Sequence, residues 1–280
     1  MIHPWIHKKR ADVLFILLPP FLITGVMLLF HNQMEALQNK YSFYTWLFLI
    51  VGVDVAHVYA SLFKTYLNKT NYTQNKHLYL LIPFVCFFVS VATYLLGAQF
   101  FWSFLAYVAV YHFVRQQYGF MRLYSRNEEK SKRNIYFDNL IIYNATLFPM
   151  AYWFLTPNRT FNWFVENEFL QIKAPKISEV LHIIYFIIFS VYIATVLYKL
   201  LKSTYFNIPK NLLIIGTYLS WYLGIVYFNN ELIFTAFNVI SHGIPYIALI
   251  FFKEVSTAKN EHGKLQKYLN KQTLLTFIIF

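Results

Sequence analysis

The sequence predicts an all-α, polytopic transmembrane helix bundle, and three observations carry that expectation. Of the 280 residues, 58% are hydrophobic and only 13% charged, with 30 Phe and 23 Tyr, which lies outside the range of ordinary soluble domains. The apolar residues gather in runs long enough to cross a bilayer, which takes about 20 helical residues. Lysine and arginine concentrate in alternate connections between those runs, as expected when one face of the membrane retains positive charge.

Taken in order, eight apolar stretches are expected to span, at about Asp12–Phe30, Phe43–Phe63, Leu78–Gly97, Phe100–Met121, Ile135–Leu155, Val180–Leu201, Leu212–Phe228 and Leu232–Phe252. The first follows the basic His7-Lys8-Lys9-Arg10. It is long, carries Pro19 and Pro20 and has no small-residue cleavage site, so it reads as an uncleaved anchor. The connections after the third and seventh stretches are very short, which makes each of these an antiparallel neighbour of the next. The long connection at 156–178 carries Phe161-Asn162-Trp163-Phe164 and is expected to lie along the outer membrane interface; a lid over a substrate is the other reading. A ninth stretch begins at Gln272 and covers about half a crossing by Phe280, as the start of a truncated last helix or as an interfacial segment.

All but four of the 24 Lys and Arg lie at the amino terminus or after the second, fourth, sixth and eighth stretches, with Arg115 counted at its helix end; the four are Lys40, Arg159, Lys173 and Lys176. That bias places the amino terminus in the cytoplasm and the chain, a single integral membrane domain over 1–280, in a bacterial inner membrane. The net charge of +12 is spread over short loops, unlike the clustered basic face of a nucleic-acid module, so the expected partners are the lipid bilayer and a hydrophobic small molecule. The single cysteine, Cys86, lies inside an apolar run. It excludes a disulfide framework, a thiolate metal cluster and a covalent haem attachment motif.

Function is sought in the polar groups that these runs carry into the hydrocarbon, where an ionisable side chain is costly and faces the bundle interior. The stretch Tyr111–Tyr124, YHFVRQQYGFMRLY, is the densest of them. At a helical rise of 1.5 Å per residue, His57 lies about 10 Å from Lys64, His112 about 15 Å from Arg122 and His242 about 16 Å from Lys253. All three are therefore expected in the cytoplasmic half, with Asp54 one turn from His57 on the same helix face. Asp138 also lies toward that side.

Three imidazoles and one or two carboxylates on separate helices suit a nonhaem iron or a zinc ion with an open coordination position. His57, His112, His242 and Asp54 are the expected metal ligands, and Asp138 would complete or orient the site. Gln116 and Asn238, one turn from His112 and His242, are placed to accept the spare ring proton of a ligating imidazole. Arg115 would pair with Asp54 or Asp138, and would balance charge or meet a polar substrate group. The same residues also admit plainer roles, as hydrogen-bonding contacts between helices or as a buried Asp54–Arg115 ion pair. Gly243 and Pro245 read as a kink in the last stretch.

The histidine boxes of membrane desaturases, Walker motifs, the GxSxG elbow and HExxH are absent from the sequence. A haem held by two of the single histidines is left open. Single histidines on separate helices, together with His242-Gly243, resemble the bacterial carotenoid dioxygenases related to the bacteriorhodopsin-associated protein. In this chain Pro245 follows the histidine, where that family carries a proline before it. The resemblance implies nonhaem iron on His57, His112 and His242, and oxidative cleavage of a carotenoid. The leading expectation is an integral membrane metalloenzyme, opening toward the cytoplasm, that acts on an isoprenoid, carotenoid or acyl chain. The rivals are a transporter or channel with an Asp54, His57, His112 and Arg115 relay, and an assembly factor whose polar residues only join helices.

Overall fold

The structure, a computed structural model, describes residues 3–202 and 206–255. All regular elements among them are helical. The helices are α1 (Lys9–Asp12), α2 (Pro19–Trp46), α3 (Ala56–Lys64), α4 (Lys69–Gln74), α5 (Lys76–Leu95), α6 (Ala98–Tyr124), α7 (Lys132–Leu155), α8 (Pro175–Lys202), α9 (Ile208–Trp221) and α10 (Glu231–Ile250). Wider π-helical turns follow α1 at Val13–Leu17, join α2 to α3 at Leu47–Val55, and extend α9 and α10 at Tyr222–Tyr227 and Phe251–Val255. The starts of α4, α7, α9 and α10 are capped by the side chains of Asn68, Ser131, Asn207 and Asn230, each accepting a backbone N–H three residues on, which satisfies a donor the helix leaves orphaned.

Four helical runs are long and apolar enough to cross a membrane: Pro19–Lys64, Lys76–Leu95, Pro175–Lys202 and Glu231–Glu254. The expectation of eight crossings and part of a ninth is therefore not upheld. The stretches at 100–121, 135–155 and 212–228 do form helices. Their glutamine, arginine, asparagine and tyrosine content leaves them less apolar than a span requires. The stretches at 12–30 and 43–63 belong mostly to one helical run, and Gln272–Phe280 lies outside the described residues. Helix α5 has no buried residue although it is apolar throughout, a surface that fits lipid and would be a liability in water.

The Pro19–Lys64 run is not straight. Its 46 residues would extend about 69 Å, yet Ile23 and Met27 near its start share one buried cluster with Leu49 and Val53 near its end, all against Leu232, Ala236 and Val239 of α10. Non-helical backbone at Phe30 (φ −123°, ψ 15°) and Tyr41 (φ −129°, ψ 28°) lets the chain double back. Between α5 and α6 the reversal rests on Gly97, whose φ of +127° is a conformation that other residues rarely adopt; the two helices pack as neighbours, as their short connection predicts.

The helices shuttle between two ends. At one, Arg126 donates to the carbonyls of Pro4 and Trp5 (2.7 Å each), the Tyr124 hydroxyl donates to Asp12 (3.2 Å), and Asn68 donates to Glu254 (3.1 Å). This end gathers most of the lysines and arginines. Here too the buried Lys210 ammonium bridges Glu128 (2.5 Å) and Asp138 (3.2 Å), while Asn207 donates to both Glu128 and the Tyr124 carbonyl. At the other end Gln99 donates to the carbonyls of Glu166 and Asn167, and Thr160 binds Asn229.

Removing one partner of a buried ion pair leaves an uncompensated charge, at a cost of about 3–5 kcal/mol. Lys210→Ala is accordingly expected to lower the unfolding midpoint of the detergent-solubilised protein strongly, and adding Asp138→Asn should recover part of the loss. An unchanged midpoint in the single variant would mean that the network contributes nothing.

Candidate metal centre

His57 on α3, His112 on α6 and His242 on α10 converge. Each offers a ring nitrogen, and the three nitrogens lie within 4.8 Å of one another. The closest pair is His57 Nε2 and His242 Nε2, 3.1 Å apart, with the rings nearly perpendicular and their centroids 4.6 Å apart. The His112 centroid is 5.1 Å from that of His242 and 6.3 Å from that of His57. His57 and His242 are buried, His112 is exposed.

The sequence dictates this approach at one residue. Gly243 faces Val53, and a Cβ on it would come within 2.8 Å of Val53 Cγ1 and 3.3 Å of the Val53 carbonyl oxygen. Only a residue without a side chain lets α10 come this near, and it carries His242 to His57. Helix α10 runs through Gly243 and Pro245 as one element, and the glycine serves close packing. Asp54 and Val53 lie in the π-helical turn that leads into α3, an irregularity common at functional sites.

The ring nitrogens test whether an ion fits. Nδ1 of His57 and Nδ1 of His242 are buried without a hydrogen-bond partner. One proton at most can lie between the facing Nε2 atoms, so without an ion one ring must carry its proton on a buried Nδ1. With both Nε2 lone pairs on a cation, both Nδ1 atoms carry protons, and that of His57 faces the Asp54 carboxylate at 3.4 Å. Two nitrogens each about 2.1 Å from one ion stand at most about 4.2 Å apart. His57 and His242 already satisfy this, and the exposed His112 ring is the one that must move inward by a fraction of an ångström.

The other expected residues divide. Asp54, expected as a ligand, stands behind His57, opposite the ring atom that faces His242, where it would fix the tautomer instead. Gln116 donates from its amide to the His242 carbonyl (2.8 Å), while its buried carbonyl oxygen has no partner; it anchors the backbone at His242 and does not accept a ring proton. Asn238 lines the neighbouring cavity. Arg115 does not meet Asp54 or Asp138: it donates to the Tyr143 hydroxyl (2.8 Å) and stacks over Tyr118, both nearer along the helix surfaces than either carboxylate. Asp138 belongs to the Lys210 network and not to this centre, because the buried ammonium is its closest counter-charge.

Several neighbours escaped the sequence reading. The Phe113 ring stacks on His242 with centroids 3.6 Å apart, and Tyr246, one turn beyond His242, stands edge-on to His57. Phe113 and Asp54 also line a cavity of about 330 Å³ whose other walls include Trp46, Leu49, Trp163, Phe234 and Asn238. Asn162 and Glu231 in its lining lie next in sequence to the Thr160–Asn229 contact, which sets this part of the cavity toward the end poor in lysine and arginine. The 156–178 connection contributes Asn162, Trp163 and Phe164 to the cavity wall. Phe161 and Phe169 are buried, Trp163 meets Phe113 edge-on (5.0 Å), and the buried Glu168 carboxylate accepts the backbone N–H groups of Trp163, Phe164 and Val165. The clustering of Phe161, Trp163, Glu168 and Phe169 in so short a segment was the signal for it.

Fold and site together define the class: a helical protein with segments long and apolar enough to span a membrane and a candidate trihistidine centre. Comparison of the chain with protein-family models, with curated proteins and with solved structures finds no match, so the reading rests on this geometry.

Gly243→Ala forces Val53 and α10 apart, and overpacking of this kind costs about 1–3 kcal/mol. The variant should unfold at lower denaturant concentration than the parent, and Val53→Ala in the same chain should relieve it. Equal stabilities of Gly243→Ala and the parent would place the close contact elsewhere.

Proposed function

We propose that the protein is an integral membrane metalloenzyme in which His57, His112 and His242 hold a nonhaem iron or zinc ion beside a cavity for a lipid-soluble substrate. The single observation that carries this reading is the convergence of three imidazoles from three helices, with Nε2 of His57 and of His242 facing each other. Asp54 keeps the proton of His57 on Nδ1, so that Nε2 stays free to bind. Phe113 stacks on His242 and holds its ring in place, and its side chain also lines the cavity. A bound iron would supply oxygen activation, and a bound zinc ion Lewis acidity and an acidified water.

The two Nε2 atoms face each other at 3.1 Å, which leaves no room for a macrocycle between the rings and speaks for a bare ion over haem. The resemblance to carotenoid dioxygenases favours iron and an oxygenase acting on an isoprenoid, carotenoid or acyl chain. A cavity of about 330 Å³ would admit only one end of a carotenoid. The cationic end gathers Lys8, Lys9, Arg10, Arg122, Arg126 and Lys199, which supports a cytoplasmic location for it and for the amino terminus, in an inner membrane. The cavity would then open toward the opposite face or the outer leaflet.

Metal analysis of the purified protein tests the reading. Close to one iron or zinc per chain is expected, lost in a His57→Ala, His112→Ala double variant that still folds. A parent protein that retains neither metal after supplementation would overturn it.

A further inference from the structure

We propose that the cavity beside the histidine centre binds an amphipathic organic cation, a long-chain amine or quaternary ammonium. The proposal deepens the metalloenzyme reading by naming the ligand class of the same site, and it rests on that reading only for what happens to the ligand afterwards.

The wall chemistry carries it. Two carboxylates, Asp54 and Glu231, line the cavity, and among the described residues no lysine, arginine or histidine does. The Asp54 oxygen that lacks a hydrogen-bond partner lies 3.4 Å from His57 Nδ1, so this carboxylate borders both the cavity and the histidine centre. An anionic headgroup would meet both carboxylates without a counter-ion; a cation would neutralise them. The aromatic faces of Trp46, Phe113 and Trp163 stand in the same wall, and aromatic rings with carboxylates are the combination that attracts ammonium groups. The apolar part of the wall suits a hydrocarbon tail. At about 30 Å³ per water, a cavity of about 330 Å³ holds roughly eleven water volumes, hence a ligand with on the order of a dozen non-hydrogen atoms. The 156–178 segment, pinned by Glu168, would close over it.

Calorimetric titration of the protein in zwitterionic nanodiscs, with empty nanodiscs as the blank, tests the proposal using dodecyltrimethylammonium, dodecanol and dodecanoate. The ammonium is expected to bind saturably, one per chain, about tenfold or more tighter than dodecanoate, and Asp54→Asn with Glu231→Gln should abolish that preference. Dodecanoate binding as well as the ammonium, dodecanol matching it, or no saturable binding above the blank would each overturn the proposal. Repeating the titration on chelator-treated protein separates the two readings. Ammonium selectivity in a chain that never holds metal defeats only the metal assignment. Metal held without that selectivity defeats only the ligand assignment.

Discussion

The approach of α10 to the residues before α3, allowed because Gly243 has no side chain against Val53, is the contact on which the rest of the site depends. Helix α10 is buried along most of its length and packs against both limbs of the doubled-back Pro19–Lys64 run. Interhelical distance at such a crossing is set by the largest atoms between the backbones. With a glycine there, His242 and His57 touch across the gap. Anything larger would separate the two rings and remove the pair from which a metal reading begins.

The polar groups of this chain fall into two kinds, and the difference guides interpretation. At the cationic end a connected network forms: Lys210 lies between Glu128 and Asp138, Asn207 caps α9 while reaching Glu128, and Asp12 accepts from Tyr124 and from the backbone at Ile6 and His7. Such a network orders helices and leaves little for chemistry. Around the histidine centre Nδ1 of His57, Nδ1 of His242, an Asp54 oxygen and the Gln116 carbonyl oxygen are without hydrogen-bond partners. Buried polar atoms left this way are costly in a folded protein, and an ion on the facing Nε2 atoms would set a proton on His57 Nδ1 toward Asp54.

Much of this was legible in the sequence, and what was not has physical causes. Helical periodicity and the depth of each histidine below its nearest cation brought out His57, His112 and His242, because rise per residue is fixed by the backbone. Partner choice was not legible, since it depends on helix rotation. Arg115 turns to Tyr143 and Tyr118, and Asp138 to Lys210, a lysine placed just outside the expected span. Counting crossings failed where helices carry polar and tyrosine residues that packing tolerates, and where breaks at Phe30 and Tyr41 occur without proline or glycine. The 156–178 segment was left between two readings because Glu168 organises it through backbone N–H groups, which leave no mark in composition.

X-ray absorption at the metal edge of the iron- or zinc-loaded protein addresses the central claim most directly. The account predicts about three nitrogen scatterers at roughly 2.0 to 2.2 Å, with the outer-shell pattern of imidazole rings, reduced in a His242→Ala variant. A first shell of oxygen alone, or a spectrum indifferent to His242, would contradict it.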